Sequence, residues 1–491
     1  MLNVHLRIND ADTRKPTPVR IRVTDAEGTH FASLGRSTEF PVGRNEAVGA
    51  GLNLARELWF TIDGACEIPL PAGVPLRVQA TKGPAYHPID ETVTLGAGQI
   101  ALRFPIQRWI SAAGDAWQSV DTRCHFLTPH DALLEAAAEG IEVVNLLATV
   151  QRFPALNGTA YLTVPNLTAF SGQVPALERD GTAVVVNTFN VHPVLGSVGL
   201  LNSHRPVFPL TFGGDEPDDW GICDWCDQCH RKGGLRVWVD AFEPTGGLVG
   251  GEALVAAILG KIDAIEVNPG PRKVPLLPWV YRLWDAGVLV PLVGGSGKDS
   301  NKTPLGAMRT CARVAASKQD TGFISVEGLS THGDEPRGSQ SWIESVRTGR
   351  VIATNGPLLD ITFPDASIHA TARSLIPFDD LSIIANGQVV QTVKAQHNPD
   401  TKSYHAELTE SLPTAGWVAV RCHSAMGAFA HTSPVAVGAP VRDPSAAAAL
   451  VKLIEQTREW AEQHGRYVNP KRRDQLLTRC NEAIDKLRGG A

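Results

Sequence analysis

Hydrophobic and polar positions alternate along the first hundred residues and then change rhythm. Residues 1–108 show short β-rich runs separated by turns. Val19–Asp25 alternates apolar and polar, Asp63-Gly64 between Leu58–Ile62 and Ala65–Leu70 reads as a hairpin, and Leu76–Thr81, Glu91–Leu95 and Ile100–Ile106 continue the pattern. This span predicts a small β-sandwich. From 109 to 357 strand-like and helix-like runs alternate: Gly181–Phe189, Leu235–Asp240, Ile262–Val267 and Val288–Val293 as strands, Asp219–Lys232, Gly251–Leu259, Leu277–Ala286 and Ser341–Arg347 as helices. Repeated units of this kind give an α/β fold, a doubly wound sheet or a barrel, and the distorted barrel is the expectation here. Residues 358–440 return to β patterning, with Asn386-Gly387 joining Leu381–Ala385 to Gln388–Val393. Residues 441–491 hold two amphipathic helices, the first capped at Ser445 and the second following Asn469-Pro470. This helical hairpin packs on the body of the chain or on a second subunit, in which case it makes a homo-oligomer. No internal repeat is present.

The stretch around which the chain is organised is 117–149. Ser119–Leu127 is a strand that ends in Asp121, Arg123, Cys124 and His125. Thr128 then reads as an N-cap, Pro129 as the first helical residue, Ala132–Glu139 as helix and Gly140 as its stop. Ile141–Leu147 is an apolar run of the kind a strand buried on both faces shows. Strand, helix and strand within about 30 residues make a parallel βαβ unit. Chemistry in such sheets collects at the carboxyl ends of the strands, which places Asp121 and His125 there.

Composition narrows the partners. The chain has 491 residues, 43% hydrophobic and 20% charged, with a formal net charge of −6. That balance gives no electrostatic case for nucleic acid. No apolar run is long enough for a membrane span, and with Met1 as the start the expectation is a cytoplasmic protein. Eight cysteines in a chain this long predict reduced, buried thiols rather than a disulfide scaffold.

Several residues could carry chemistry. Asp121-x-Arg123-x-His125 places three alternate side chains on one side of a strand, a degraded D-x-H-x-H. Asp240, Glu266 and Asp299 end other strands, and Glu252 begins a helix. Gathered at one mouth, such carboxylates would hold Mg²⁺, Mn²⁺ or Ca²⁺; otherwise they cap helices or pair with Arg123, Arg272 and Lys298. Gly294-Gly-Ser-Gly-Lys-Asp fails the phosphate-loop spacing, with Asp299 where Ser or Thr is needed, but leaves a backbone nest for an anionic group. Cys223, Cys226, Cys229 and His230 form a haem-attachment-like string that could equally hold a structural metal, or bury three small side chains against a sheet. His192, His332 and His431 sit in loop-like contexts.

Taken together, Trp117–Ala148, Gly196–Asn202, Gly233–Val239, Gly251-Glu252, Gly260–Glu266, the 294–301 loop and Thr348–Leu359 resemble the CehA/McbA-type metallohydrolases, relatives of the PHP (polymerase and histidinol phosphatase) fold. The resemblance covers roughly 109–438. It implies a distorted PHP-like (β/α) barrel with a metal site at its mouth that hydrolyses esters, carbamates, amides or phosphoesters. It also implies ligands that this chain lacks. The first of two motif histidines is Arg123, the Thr-Asp-His after the second strand is Leu147-Ala148-Thr149, a Gly-His pair is Gly196-Ser197, a strand-end His is Asp240, and the final Gly-Ser-Asp-x-His is Gly295-Ser-Gly297-Lys-Asp299. Two expectations follow. One is a metal-dependent hydrolase acting on a small molecule, with a single remodelled Zn, Mn or Mg site. Asp121, His125 and Glu266 would be its ligands, with Arg123, Asp240, Lys298 and Asp299 as catalytic groups. The other is a non-catalytic, pseudoenzyme-like binding or structural protein in which no metal is bound and Arg123 takes the metal position.

Overall fold

The computed structural model describes residues 1–35, 51–110, 117–154, 160–314 and 340–489. His332 lies outside them. The fold is mixed α/β.

The first hundred residues form two β-layers. Leu2–Asp10 pairs antiparallel with Ala65–Leu70 and parallel with Ala101–Ile106; Val19–Thr24 lies between Glu57–Ile62 and Pro75–Thr81 in a six-stranded sheet. Alternate residues of both sheets, among them Leu6, Ile8, Ile21, Phe60, Val78 and Phe104, enclose a core of their own. The Asp63-Gly64 turn does not make a hairpin. It carries the chain from the six-stranded sheet into the three-stranded one, and Gly64 adopts φ +77° where a Cβ would lie 2.7 Å from Pro16. A predicted hairpin thus becomes a crossing between layers, because each flanking strand finds a better partner elsewhere.

The large sheet has fifteen strands. We label its first part β1 (Trp117–Cys124), β2 (Val143–Ala148), β3 (Thr182–His192), β4 (Gly196–Leu201), β5 (Leu235–Val239), β6 (Ala264–Val267), β7 (Leu292–Gly294), β8 (Arg309–Arg313) and β9 (Val351–Thr354). Their order is β7-β6-β5-β4-β3-β2-β1-β8-β9. The helices are α1 (Pro129–Glu139), α2 (Ile222–Arg231), α3 (Gly251–Ile258), α4 (Leu276–Asp285), α5 (Ser341–Arg347), α6 (Pro444–Gln463) and α7 (Pro470–Leu487). β1, β2 and β3 run parallel, as do β5, β6 and β7, but β4 is antiparallel to both its neighbours. Only Pro193, Val194 and Leu195 separate β3 from β4, too few for a crossover, so the chain must turn straight back.

The sheet is an open path, not a closed ladder. Its β7 end nevertheless curls back towards β1: Gly297 N–H donates to the Arg123 carbonyl (2.9 Å), His125 N–H to the Lys298 carbonyl (2.7 Å), and Gly294 N–H to Thr310 Oγ1 (2.8 Å). Beyond β9 the sheet runs without a break into Phe429–Thr432, Ala415–His423, Asp380–Ala385 and Gln388–Lys394. The last two form the hairpin that Asn386-Gly387 predicts, both turn residues having positive φ. A four-stranded sheet containing Leu358–Thr362 and Ser367–Ser374 packs against this extension through Ile361, Ile368, Leu381 and Val420.

α1 forms where the sequence places it. The Thr128 hydroxyl accepts from Asp131 N–H (3.2 Å), Pro129 needs no N–H partner in the first turn, and Gly140 ends the helix at φ 65°. At the C-terminus the cap of α6 is Asp443, not Ser445: Pro444 occupies the first turn, and the Asp443 carboxylate accepts from Ser445 N–H (2.8 Å). Both C-terminal helices pack on the chain's own body. Leu450, Ile454, Leu476, Cys480 and Ile484 share one core with Ile258, Trp284 and Trp417, so these apolar faces are buried against the chain itself. Among the described residues no helix is long and apolar enough to cross a membrane.

Candidate functional site

The carboxyl ends of β1, β5 and β6 meet around one side chain, Arg123. Its Nε donates to Glu266 Oε1 at 2.7 Å, and its Nη2 lies 3.6 Å from Asp240 Oδ1. The guanidinium rests 5.8 Å from the Phe189 ring centroid, a cation–π separation. Glu266 is fully buried, whereas the Asp240 side chain is 46% exposed. Asn268, two residues beyond Glu266, donates from Nδ2 to Asp240 Oδ1 (3.0 Å) and fixes that carboxylate at the rim. Burial lifts the Glu266 carboxyl to about 7; Asp240 adds to the rise and Arg123 opposes it.

His125 stands beside this cluster with its ring 5.3 Å from Phe189. Its Nδ1 lies 3.1 Å from the Leu147 carbonyl, which can only accept, so Nδ1 carries the proton and Nε2 a lone pair. Burial, and then the nearby Arg123 charge, push the imidazole down to about 3, so it is neutral. The following residue, Phe126, sits at φ +70°, in a region bulky residues seldom adopt.

Asp121 is a different matter. Its side chain is fully buried, and both oxygens are taken by backbone donors: Oδ1 by Arg123 N–H (3.1 Å) and Ser296 N–H (2.9 Å), Oδ2 by Gly306 N–H (2.9 Å). It organises loops and offers no side to a ligand. The two other candidates in the 294–301 loop also stand apart. Lys298 Nζ is buried against Glu135 of α1 (3.4 Å) and donates to the Ser300 (3.1 Å) and Thr303 (2.9 Å) carbonyls. Asp299 is exposed and enters none of the cluster's hydrogen bonds or ion pairs.

The glycine-rich loop is not an anion nest. Gly294, Gly295, Ser296, Gly297 and Lys298 all spend their N–H groups internally, on Thr310 Oγ1, the Val267 carbonyl, Asp121, the Arg123 carbonyl and Ser296 Oγ. Its glycines answer to space. A Cβ on Gly295 would lie 2.5 Å from Glu266 Oε2 and 2.8 Å from Thr122 Oγ1, and one on Gly297 (φ +62°) would lie 2.9 Å from Arg123 Nη2. The loop is folded down onto the ion pair. Gly295→Ala therefore overpacks a rigid contact and is expected to cost about 1–3 kcal/mol in urea unfolding; an unchanged midpoint would show the loop is looser than this.

The cysteine helix is part of the core. Cys223, Cys226 and Cys229 are buried with Ile222 and Trp225, while His230 is exposed in the last turn of the helix, so the four do not converge on a metal. Burial raises all three thiols, Cys229 to about 12. Glu252 caps α2 by accepting from Ile222 N–H (2.7 Å), and Arg272 pairs with Glu243 (3.4 Å). His192 is buried with Nε2 3.2 Å from Asp218, and His431 Nε2 is 2.8 Å from the Tyr281 hydroxyl; both are structural contacts away from Arg123.

Sequence reasoning thus singled out Arg123, His125, Asp240 and Glu266, which come together, and Lys298 and Asp299, which do not join them. It missed Phe189, Thr122 and Asn268. Asn268 carried a signal, being at the alternate position after Glu266 on one strand end; Phe189, inside a long apolar strand, carried none. A scan against protein-family models finds no match, and no curated protein matches this sequence.

Proposed function

We propose that this chain is a metal-independent, PHP-like binding protein in which the Arg123 guanidinium stands where a metallohydrolase of that type would hold its cation. The observation that carries the reading is the Arg123 Nε–Glu266 Oε1 hydrogen bond of 2.7 Å, with Asp240 on the guanidinium's other side. The residues present do not fit a divalent metal. Asp121 has both oxygens committed to N–H donors, Glu266 has Oε1 committed to Arg123, and a second cation would be repelled by a guanidinium already between the carboxylates. The ligand is a small polar molecule that meets the rim formed by Asp240 and the edge of Arg123. Asp240 would accept from a hydroxyl or amine, and the Arg123 edge would donate to an oxyanion.

A hydrolase reading is favoured by one feature. His125 anchors Nδ1 on a backbone carbonyl and keeps Nε2 as a lone-pair donor, as metal-bound histidines do. Elemental analysis of protein purified without chelators separates the two. The expected result is substoichiometric Zn, Mn and Mg, unchanged in His125→Ala and with no hydrolysis of ester or phosphoester model substrates on metal addition. One metal ion per chain that disappears in His125→Ala would overturn the binding-protein reading.

A further inference from the structure

A second region is built for a ligand. A cavity of about 720 Å³ opens at the amino ends of β1, β2 and β3, the opposite end of the sheet from Arg123. Three regions of the chain contribute: Tyr86 and Arg108 from the first 108 residues, Ser119 and Glu142 at the strand starts, and Arg373 from the four-stranded sheet. Its size is that of a small-molecule site rather than a packing defect.

The charge on its walls is unbalanced. Six cationic side chains face it against four carboxylates, in a protein whose net charge is −6. Two of these acids are already engaged by hydrogen bonds. Asp10 accepts from Asp12 and Thr13 N–H groups (3.1 and 2.8 Å) and from the Tyr86 hydroxyl (3.1 Å), and Glu142 accepts from Ser119 N–H (2.9 Å). Arg108 is held in place without a carboxylate: it lies 4.7 Å from the Tyr86 ring centroid, and its Nη2 donates to the Tyr86 oxygen (2.8 Å). Among the described residues neither Arg108 nor Arg373 has an ion-pair partner. The Ser119 hydroxyl is buried with no hydrogen-bond partner among the described residues, which is costly unless something completes it. Trp117, Leu133, Ile141, Ile352 and Leu359 supply an apolar wall.

We propose that this cavity binds a small organic anion, an apolar ring-sized body carrying one carboxylate, sulfonate or phosphate, with the anionic group against Arg108 and Arg373. The site is independent of the Arg123 cluster. The test uses two fluorescent probes of the same body, the anionic 8-anilinonaphthalene-1-sulfonate and its uncharged counterpart N-phenyl-1-naphthylamine, titrated into the full chain. The sulfonate is expected to saturate at one per chain and to bind the native protein roughly tenfold more tightly than the neutral probe, as one charge-assisted hydrogen bond supplies. Arg108→Ala and Arg373→Glu should each remove that preference and leave the neutral probe unaffected. Arg373 is exposed, so its variant keeps the test sound if Arg108→Ala loosens Tyr86. Equal binding of the two probes, or a sulfonate affinity unchanged in both variants with circular dichroism intact, would overturn the proposal.

Discussion

Arg123→Ala is expected to lower stability by about 1.4 kcal/mol more at pH 8 than at pH 5, because it leaves the fully buried Glu266 carboxyl without the cation that favours its ionised form. The pH dependence distinguishes this from a simple packing loss. In the native protein Glu266 titrates at about 7 rather than at the ordinary 4.5, so the folded state holds its proton more tightly than the unfolded state. A carboxyl raised in this way stabilises the folded chain fully below its ordinary value and loses that contribution as pH rises through about 7. Without Arg123 the carboxyl rises further and keeps its proton, so this extra deficit should be absent at pH 5 and reach about 1.4 kcal/mol at pH 8, one pH unit above the native value. Glu266→Gln should flatten this part of the pH profile in either background. The double variant Arg123→Met with Glu266→Leu, which removes both charges and keeps apolar bulk, should recover most of the loss, as buried ion pairs replaced by hydrophobic groups generally do. A deficit for Arg123→Ala that is equal at pH 5 and pH 8 would mean that Glu266 is not the stranded group.

What the sequence made legible divides along physical lines. Local rules worked where the partners are local: Thr128, Pro129 and Gly140 bracket α1, and Asn386-Gly387 makes its hairpin. The strand-end positions of Arg123, Asp240 and Glu266 followed from the alternation of strands and helices. The fate of Asp121 could not follow, since its donors Ser296 and Gly306 lie 175 and 185 residues away. The Gly294–Gly297 run fails the phosphate-loop spacing yet left a backbone nest open, because spacing alone cannot tell a loop that cradles a ligand from one that must pass within van der Waals reach of an internal ion pair. Asp63-Gly64 failed for a related reason: a turn signal fixes a reversal, not which sheet the next strand joins. The cysteine string could not be resolved by helical phase, which puts Cys223 and His230 on one face: His230 is exposed in the last turn of α2, while Cys223, Cys226 and Cys229 are buried in the core. Within β1 to β7 the departure from parallel order, β4, was countable from the three residues between it and β3.

The second large effect belongs to the C-terminal hairpin. Glu252 opens α3 fully buried; its Oε2 caps α2 through Ile222 N–H (2.7 Å), and its Oε1 accepts from Arg479 Nη1 of α7 (3.2 Å). The same guanidinium reaches Asp224 Oδ1 through Nη2 (2.7 Å), so Arg479 ties α7 to α2 and α3 at once. Arg479→Ala leaves Glu252 as an unpaired charge in the interior, and the expected cost is about 3–5 kcal/mol at neutral pH. The loss should appear first in the hairpin, because Arg479 is the side chain that joins α7 to α2 and α3 at once, beside the apolar contacts of Leu450, Ile454 and Ile484. Hydrogen exchange should therefore speed up in α6 and α7 well before the central sheet responds. Burial already raises the Glu252 carboxyl, and loss of the cation raises it further. The penalty must then be present above its ordinary carboxylate range and shrink as the pH falls and the group takes up a proton. Adding Glu252→Gln should restore much of the stability, since the amide oxygen still caps Ile222 without carrying a charge into the core. Exchange that accelerates uniformly across the sheet and the hairpin, or a double variant no more stable than Arg479→Ala, would place the contribution of Arg479 in packing rather than in holding that charge.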